Sequence, residues 1–213
     1  MKYPSYFSLL VAAWVAPLMT VAEDKAPAPE AVTIFNGKDL TGWKDAKDNR
    51  FWKVVDGVLV GESDDKLKGN MLYTEKEYLN VSIECDVRYS GEIDSGIMVR
   101  HSADGKHDMQ MQIGVSRSLK KDMTCSLYCS PLKVKYPEEG QCKRLGELWK
   151  KDDWNHVRFQ ANGDKFSVWL NGEKVVNDYT DAFYTKPYSI GLQIHPGVKM
   201  KVEYRNIKVV ELK

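Results

Sequence analysis

The chain has 213 residues, of which 31 are Lys or Arg and 30 are Asp or Glu, for a formal net charge of +1 at neutral pH. So balanced a charge argues against nucleic-acid binding, which calls for a basic patch or stripe. The four cysteines fit an oxidising compartment but do not by themselves define a bridge.

Residues 1–22 read as a cleavable signal peptide. Lys2 supplies a basic start, "FSLLVAAWVAPLMTVA" an apolar run, and Thr20-Val21-Ala22 a small-residue cleavage site ahead of Glu23-Asp24. Pro17 and the shortness of the run argue against a membrane span. The mature protein is therefore expected to be secreted or periplasmic, with no membrane attachment after cleavage. Residues 23–31 are expected to be a linker, because the alternating prolines of "KAPAPEA" disfavour helix and sheet. Residues 32–213 then suffice for one well-buried domain.

From Val32 onward, apolar residues recur with period two in short runs, the pattern of half-buried strands. "WKVVDGVLV" predicts a hairpin turning at Asp56-Gly57. "MLYT", "VSIECDVRY", "SGIMVRH" and "MQMQIGV" predict strands. "VRFQANGDKFSVWLNGEKVV" predicts two further hairpins, at Asn162-Gly163 and Asn171-Gly172, and strands at "YSIGLQIH" and "MKVEYRNIKVVEL" close the domain. Asn-Gly and Asp-Gly suit such turns because both central residues of a type I′ turn need positive φ. Helical periodicity is limited to a turn or two near "GQCKRLGEL" and "DAFYT". The expected fold is all-β, a two-sheet antiparallel β-sandwich with Cys85, Ile97, Val99, Met111, Val168 and Leu192 in its core. The absence of an internal repeat argues against a propeller.

Strand parity locates a polar face. In "DMQMQIG", Met109, Met111 and Ile113 alternate with Gln110 and Gln112. In "SGIMVR", Ile97 and Val99 oppose Met98 and Arg100. In "SIGLQIH", Ile190, Leu192 and Ile194 oppose Gln193 and His195. If the three strands are neighbours, Arg100, Gln110, Gln112, Gln193 and His195 form one platform of directional hydrogen-bonding groups, either a binding surface or an ordinary wet face.

Motifs for other chemistries are missing: there is no phosphate-cradling glycine loop, nucleophile elbow or His-Glu-x-x-His site. His101, Asp104, His107 and Asp108 share the loop "HSADGKHD" and are metal-ligand types, but such loops are mostly solvated turns. Glu84 and Asp86 share a strand face that reads as a solvated edge, and His156 reads as exposed. Cys85 lies on an apolar face and reads as a buried thiol. One disulfide among Cys125, Cys129 and Cys142 is compatible with the turn-rich sequence around them.

The order of landmarks is more specific than any one motif. "IFNGKDLTGWK" opens the domain, followed by "VVDGVLVG", "YTEKEYLNVSIECDVR" and "SGIMVR"; "WNHVRFQANGDKFSVWLNGEKV" and "IGLQIHPGVKMKVEYRNIKVVEL" close it. This series resembles the 3-keto-disaccharide hydrolase family over essentially all of Val32 to Lys213. The resemblance implies a secreted or periplasmic jelly roll of the concanavalin A-like or LamG-like kind, acting on glycosides already oxidised to a ketone at C3. That ketone acidifies the C2 proton, a base removes it, and the C1 aglycone departs by β-elimination. Hydration of the product makes the net outcome hydrolysis. A divalent metal of unspecified identity would stabilise the enediolate as a Lewis acid, or Arg, Gln and His groups would do so as hydrogen-bond donors. A sugar 3-oxidising dehydrogenase would act upstream.

Carried over by position, Arg100 matches the arginine that often ends the Ser-Gly-Ile strand, and His195 matches the histidine after "GLQ". These are the expected catalytic residues, His195 as base and Arg100 as holder of the enediolate oxygen. The middle strand departs from the family pattern. Many members read Tyr-Glu-x-Gln-Ile there, followed shortly by Asp, where this chain has Met109-Gln110-Met111-Gln112-Ile113 and then Gly114-Val115. Gln110 can orient a sugar hydroxyl but cannot deprotonate carbon. Gln110, Gln112 and Gln193 are therefore expected to bind substrate, with Lys121 and Asp122 of "GVSRSLKKDMT" as replacement polar groups. No residue is assigned as a metal ligand. Two functions follow: an exported enzyme cleaving 3-keto-glycosides, or a non-catalytic carbohydrate-binding jelly roll. The whole-domain extent of the resemblance favours the enzyme.

Overall fold

The computed structural model describes Met1 and residues 30–44, 49–130 and 133–213. The expected signal peptide beyond Met1 and residues 23–29 of the expected linker lie outside the described residues. The strands, in chain order, are β1 (Val32–Thr33), β2 (Trp52–Val55), β3 (Val58–Glu62), β4 (Asn70–Tyr78), β5 (Val81–Tyr89), β6 (Asp94–His101) and β7 (Asp108–Ser116). They continue as β8 (Lys121–Asp122), β9 (Leu127–Cys129), β10 (Asn155–Asn162), β11 (Lys165–Leu170), β12 (Glu173–Thr180), β13 (Tyr188–Ile194) and β14 (Lys201–Glu211).

Two antiparallel sheets result, as the alternation predicts. The larger runs β12-β11-β10-β5-β14-β3-β2, with β1 added to β14; the smaller runs β4-β13-β6-β7-β8, with β9 also pairing with β7. Helix among the described residues is confined to a 3₁₀ turn at Glu138–Gly140 and one α-helical turn at Leu145–Leu148. The β2–β3 and β11–β12 hairpins turn as expected, with positive φ at Asp56 (49°), Gly57 (79°), Asn171 (50°) and Gly172 (91°). The β10–β11 turn is displaced by one residue. Asn162 stays in the ladder opposite Lys165, so the turn pair is Gly163-Asp164, with Gly163 at φ 60° supplying the positive φ of the first position.

The inner faces of the two sheets make one core. Cys85, Ile97, Val99, Met111, Val168 and Leu192 are all at most 1% exposed, and burying each larger aliphatic side chain contributes about 1.5–3 kcal/mol. Polar links also join the sheets, one of them at Ser95. Ser95 Oγ donates to the Gln193 carbonyl at 2.7 Å and lies 3.2 Å from the Tyr204 hydroxyl, tying β6 to β13 and to the opposite sheet.

Register shifts interrupt the ladders of four strand pairs, β11–β12, β13–β4, β14–β5 and β6–β7. The β6–β7 register shifts between Val99 and His101, with Arg100 at φ 51°, and the β14–β5 register shifts between Arg205 and Lys208, with Asn206 at φ 54°. An extra residue of this kind resets which face the following side chains occupy.

Candidate functional site

The outer face of the smaller sheet carries the polar platform. β13, β6 and β7 are consecutive neighbours: Gly191 lies opposite Met98, Met98 opposite Gln110, and Gly96 opposite Gln112. A cavity of about 290 Å³ opens above these rows, floored by Asp94, Gln110, Gln112, Gln193 and His195. Tyr128 from β9, with Lys135 and Tyr136 from the segment after it, lines its side.

The glutamines are oriented by a chain of hydrogen bonds. Tyr136 Oη donates to Gln112 Oε1 at 3.1 Å, and the same oxygen accepts from Gln110 Nε2 at 2.9 Å. Gln112 Nε2 in turn donates to Asp94 Oδ1 at 2.9 Å. Desolvation pushes the Tyr136 hydroxyl above the ordinary phenol range, and the charge of Asp94 adds to the effect, so Tyr136 remains a donor. Gln110 also needs a glycine beneath it. A Cβ on Gly96 would come within 2.4 Å of Gln110 Nε2, so only the bare backbone lets the amide lie across β6.

His195 follows β13 at the end of the platform. Its Nδ1 lies 2.7 Å from the Pro196 carbonyl oxygen, which can only accept, so Nδ1 carries the proton of the neutral ring. Nε2 is then left with its lone pair, 3.9 Å from Asp94 Oδ2. A buried carboxylate thus stands beside the nitrogen that would take up a proton. Gln193 adds an unsatisfied acceptor, because its Oε1 is buried without a hydrogen-bond partner among the described residues. A ligand hydroxyl at the cavity floor would satisfy it.

The donor set does not form a cage for a divalent ion. It offers one carboxylate, with Oδ1 already engaged by Gln112, one imidazole, and the neutral amide oxygens of Gln110, Gln112 and Gln193, of which that of Gln112 already accepts two hydrogen bonds. No group of three or more His, Cys, Asp or Glu side chains suited to a metal occurs among the described residues.

Residues 30–210 match the model of the 3-keto-alpha-glucoside-1,2-lyase-like domain. The chain belongs to this family. Among curated proteins, no significant sequence match was found. Solved structures share the fold. A protein of Parabacteroides distasonis ATCC 8503, provisionally assigned as a glycosyl hydrolase, superposes with a TM-score of 0.61 at 23% identity, covering 86% of this chain and 94% of its own. A carbohydrate-binding module of Bacillus subtilis gives 0.52 at 15% identity over 80% and 96% of the two chains. The β-glucanase of Bacillus licheniformis gives 0.57 at 12% identity over 89% and 100%. The architecture of this 3-keto-alpha-glucoside-1,2-lyase-like domain is therefore the two-sheet sandwich that its alternation predicts, of the jelly-roll kind that the family resemblance implies.

Within the family domain, Gln110, Gln112, Gln193 and His195 converge as the parity of their strands indicates. Arg100 does not join them. At the bulge its side chain turns to the end of the sandwich, where it is only 3% exposed. Its guanidinium donates to the carbonyls of Leu79 (2.5 Å), Tyr184 (3.2 Å) and Gly163 and to Asn80 Oδ1 (2.6 Å). Burial lowers its pKa from the usual guanidinium value, but Arg100 remains a cation that ties three loops together. The expected catalytic role for Arg100 is corrected on this geometry.

Lys121 and Asp122 also lie elsewhere. They form β8 at the sheet edge and line a separate cavity beside Cys142 and Leu145. Asp122 Oδ1 accepts from the Thr124 amide at 2.9 Å and its hydroxyl at 2.6 Å, a turn-stabilising role.

Asp94 is the cavity residue that the sequence reading missed. It stands two residues before Gly96 and four before Met98, so the same parity places it on the polar face. Its carboxylate is the one acid among the described residues that line the cavity.

A second cluster occupies the far end of the same face. His101 Nδ1 and Asp108 Oδ1 are 2.9 Å apart but not aligned for a hydrogen bond, and the His101 ring packs edge-on against Tyr188 at 3.9 Å. Desolvation raises the Asp108 pKa above the ordinary carboxylate value, against the opposing pull of His101 and His107. Glu84, Asp86 and His156 lie on the outer face of the larger sheet, where His156 Nδ1 is 3.0 Å from Asp86 Oδ1.

Proposed function

We propose that this protein is an exported enzyme that cleaves glycosides carrying a ketone at C3, by β-elimination followed by hydration. The observation that carries the reading is the approach of His195 Nε2 to the buried Asp94 carboxylate at 3.9 Å, at the edge of an amide-lined cavity. His195 removes the proton at C2, made acidic by the neighbouring ketone, and Asp94 balances the charge the imidazole gains. The electron pair left on C2 closes the double bond to C1 as the C1–O bond breaks, and the leaving oxygen takes a proton. Water then adds across the double bond, returning the hydrogen to C2 and placing hydroxyl on C1. The amide of Gln193 and the side-chain oxygen of Gln110, whose two N–H groups are taken by Gln112 and the Ser95 carbonyl, orient the sugar hydroxyls, while Lys135 brings a cation to the rim. No step is routed through a metal, for which the cavity offers a single anionic ligand, Asp94.

The ketone must be installed beforehand, so a dehydrogenase oxidising the sugar at C3 supplies the substrate. Export rests on the first 22 residues, and a mature N-terminus near Glu23 by mass spectrometry would support it.

A second reading, a non-catalytic sugar-binding module, draws support from a floor richer in amides than in acids. Incubation of the purified protein with a chromogenic 3-keto-glucoside separates the two. The enzyme releases aglycone, and His195→Ala lowers turnover at least about a hundredfold. Saturable binding without product, or near-wild-type turnover by His195→Ala, would overturn the assignment.

A further inference from the structure

A second cavity, of about 590 Å³, adjoins the first and shares Asp94 and Arg117 with it. Its floor is apolar, made by Ile93, Val115 and Val198, and its rim carries Arg117, Lys120, Lys199 and one further acid, Glu92. Arg117, Lys120 and Lys199 make no ion pair among the described residues. Against these three cations stand the carboxylates of Glu92 and Asp94, which leaves the lining one positive charge in excess.

Arg117 is held at the boundary between the cavities. Its Nη1 donates to the carbonyls of Gly197 at 3.0 Å and Pro196 at 3.4 Å, bridging the segment after β7 to the segment after β13. A Cβ at residue 197 would sit only 3.0 Å from that nitrogen, and φ there is +77°. Both constraints suit glycine and fix the guanidinium in place.

Building on the proposed function, we infer that this second cavity receives the leaving group of the glycoside and favours one bearing an anionic substituent, a carboxylate or a sulfonate-type oxyanion. Asp94 borders both cavities, so a sugar above Gln110 and Gln193 directs its C1 substituent past Asp94 and His195 into the cationic cleft. The apolar floor accepts a ring face, and the three cations attract the charge at its far end.

The test uses unoxidised glucosides of 4-hydroxybenzoate, 4-hydroxybenzenesulfonate and the neutral 4-hydroxybenzamide, with binding measured by calorimetry. At about 0.02 M salt the anionic ligands should bind about fivefold more tightly than the amide, the size of one or two ion pairs close to water. The preference should fall to within about twofold in the Lys120→Gln/Lys199→Gln double variant and at about 0.3 M salt. A difference between the carboxylate and sulfonate arms would identify the preferred oxyanion. Equal binding of the amide, an anionic preference that survives in the double variant, or no binding of any of the three would overturn the inference. Cleavage of 3-keto-glucosides is read separately. Turnover without the anionic preference would overturn this inference alone, whereas the preference without turnover would overturn the enzyme assignment and leave the cleft standing.

Discussion

Replacing Asp94 by Asn should slow catalysis while leaving the sandwich intact. Asn keeps the shape of the side chain, and its Oδ1 still accepts the bond that Gln112 Nε2 makes at 2.9 Å. What disappears is the negative charge 3.9 Å from His195 Nε2. At that distance a unit charge stabilises an imidazolium by about 1 kcal/mol in a water-like medium and about 4 kcal/mol at an effective dielectric constant of 20. The His195 side chain is 34% exposed and that of Asp94 only 8%, which places the effect near 2 kcal/mol, or about thirtyfold in kcat. The assay is initial-rate cleavage of a 3-keto-glucoside across a pH series, with thermal unfolding followed in parallel. A kcat within about threefold of wild type, in a variant whose Tm is unchanged, would refute the pairing of Asp94 with the base.

Arg100→Ala should cost about 3 kcal/mol of stability by orphaning three buried carbonyls and Asn80, lowering Tm by about 6–12 °C; kcat at a temperature where the variant is folded should stay within about threefold of wild type. A large fall in kcat with an unchanged Tm would return Arg100 to the active site. Gly96→Ala should displace Gln110 and raise KM for the sugar about tenfold, a value that an unaltered KM would contradict. Gln110→Glu would place a second carboxylate near Asp94 and should strengthen divalent-ion binding by calorimetry; no gain in a folded variant counts against the convergence of the two positions. Burial opposes the charge on Asp86, but hydrogen bonds from His156, Asn206 and Arg205 outweigh it and hold its pKa below the ordinary carboxylate value. A depressed folded-state pKa means stability present above the unfolded value, about 3.9, and lost as pH falls through the folded one. Asp86→Asn should therefore lower Tm at pH 7, with the difference from wild type shrinking below about pH 4; a constant difference down to about pH 2 would refute it.

The sequence by itself determined the strands, their inward and outward faces and the class of fold, because side-chain alternation is a property of each strand alone. Gln110, Gln112, Gln193 and His195 follow that rule without interruption from their own strands, which is why parity finds them. Family membership was legible for the same length of chain, through landmarks that mark turns and strand ends. Tertiary structure decided the rest. Adjacency of β13 to β6 depends on pairing between segments some ninety residues apart (Gly191 opposite Met98), which no local pattern encodes. Arg100 obeys the alternation on paper, but a bulge inserts one residue at that point and turns the guanidinium toward carbonyls of three loops that come together only in the folded chain. Asp94 was readable by parity, yet its meaning came from contacts with Gln112 on β7 and His195 beyond β13. A period of two specifies where a side chain points relative to its own strand. Which strand lies beside it, and where a bulge breaks the count, is settled by the packing of the two sheets.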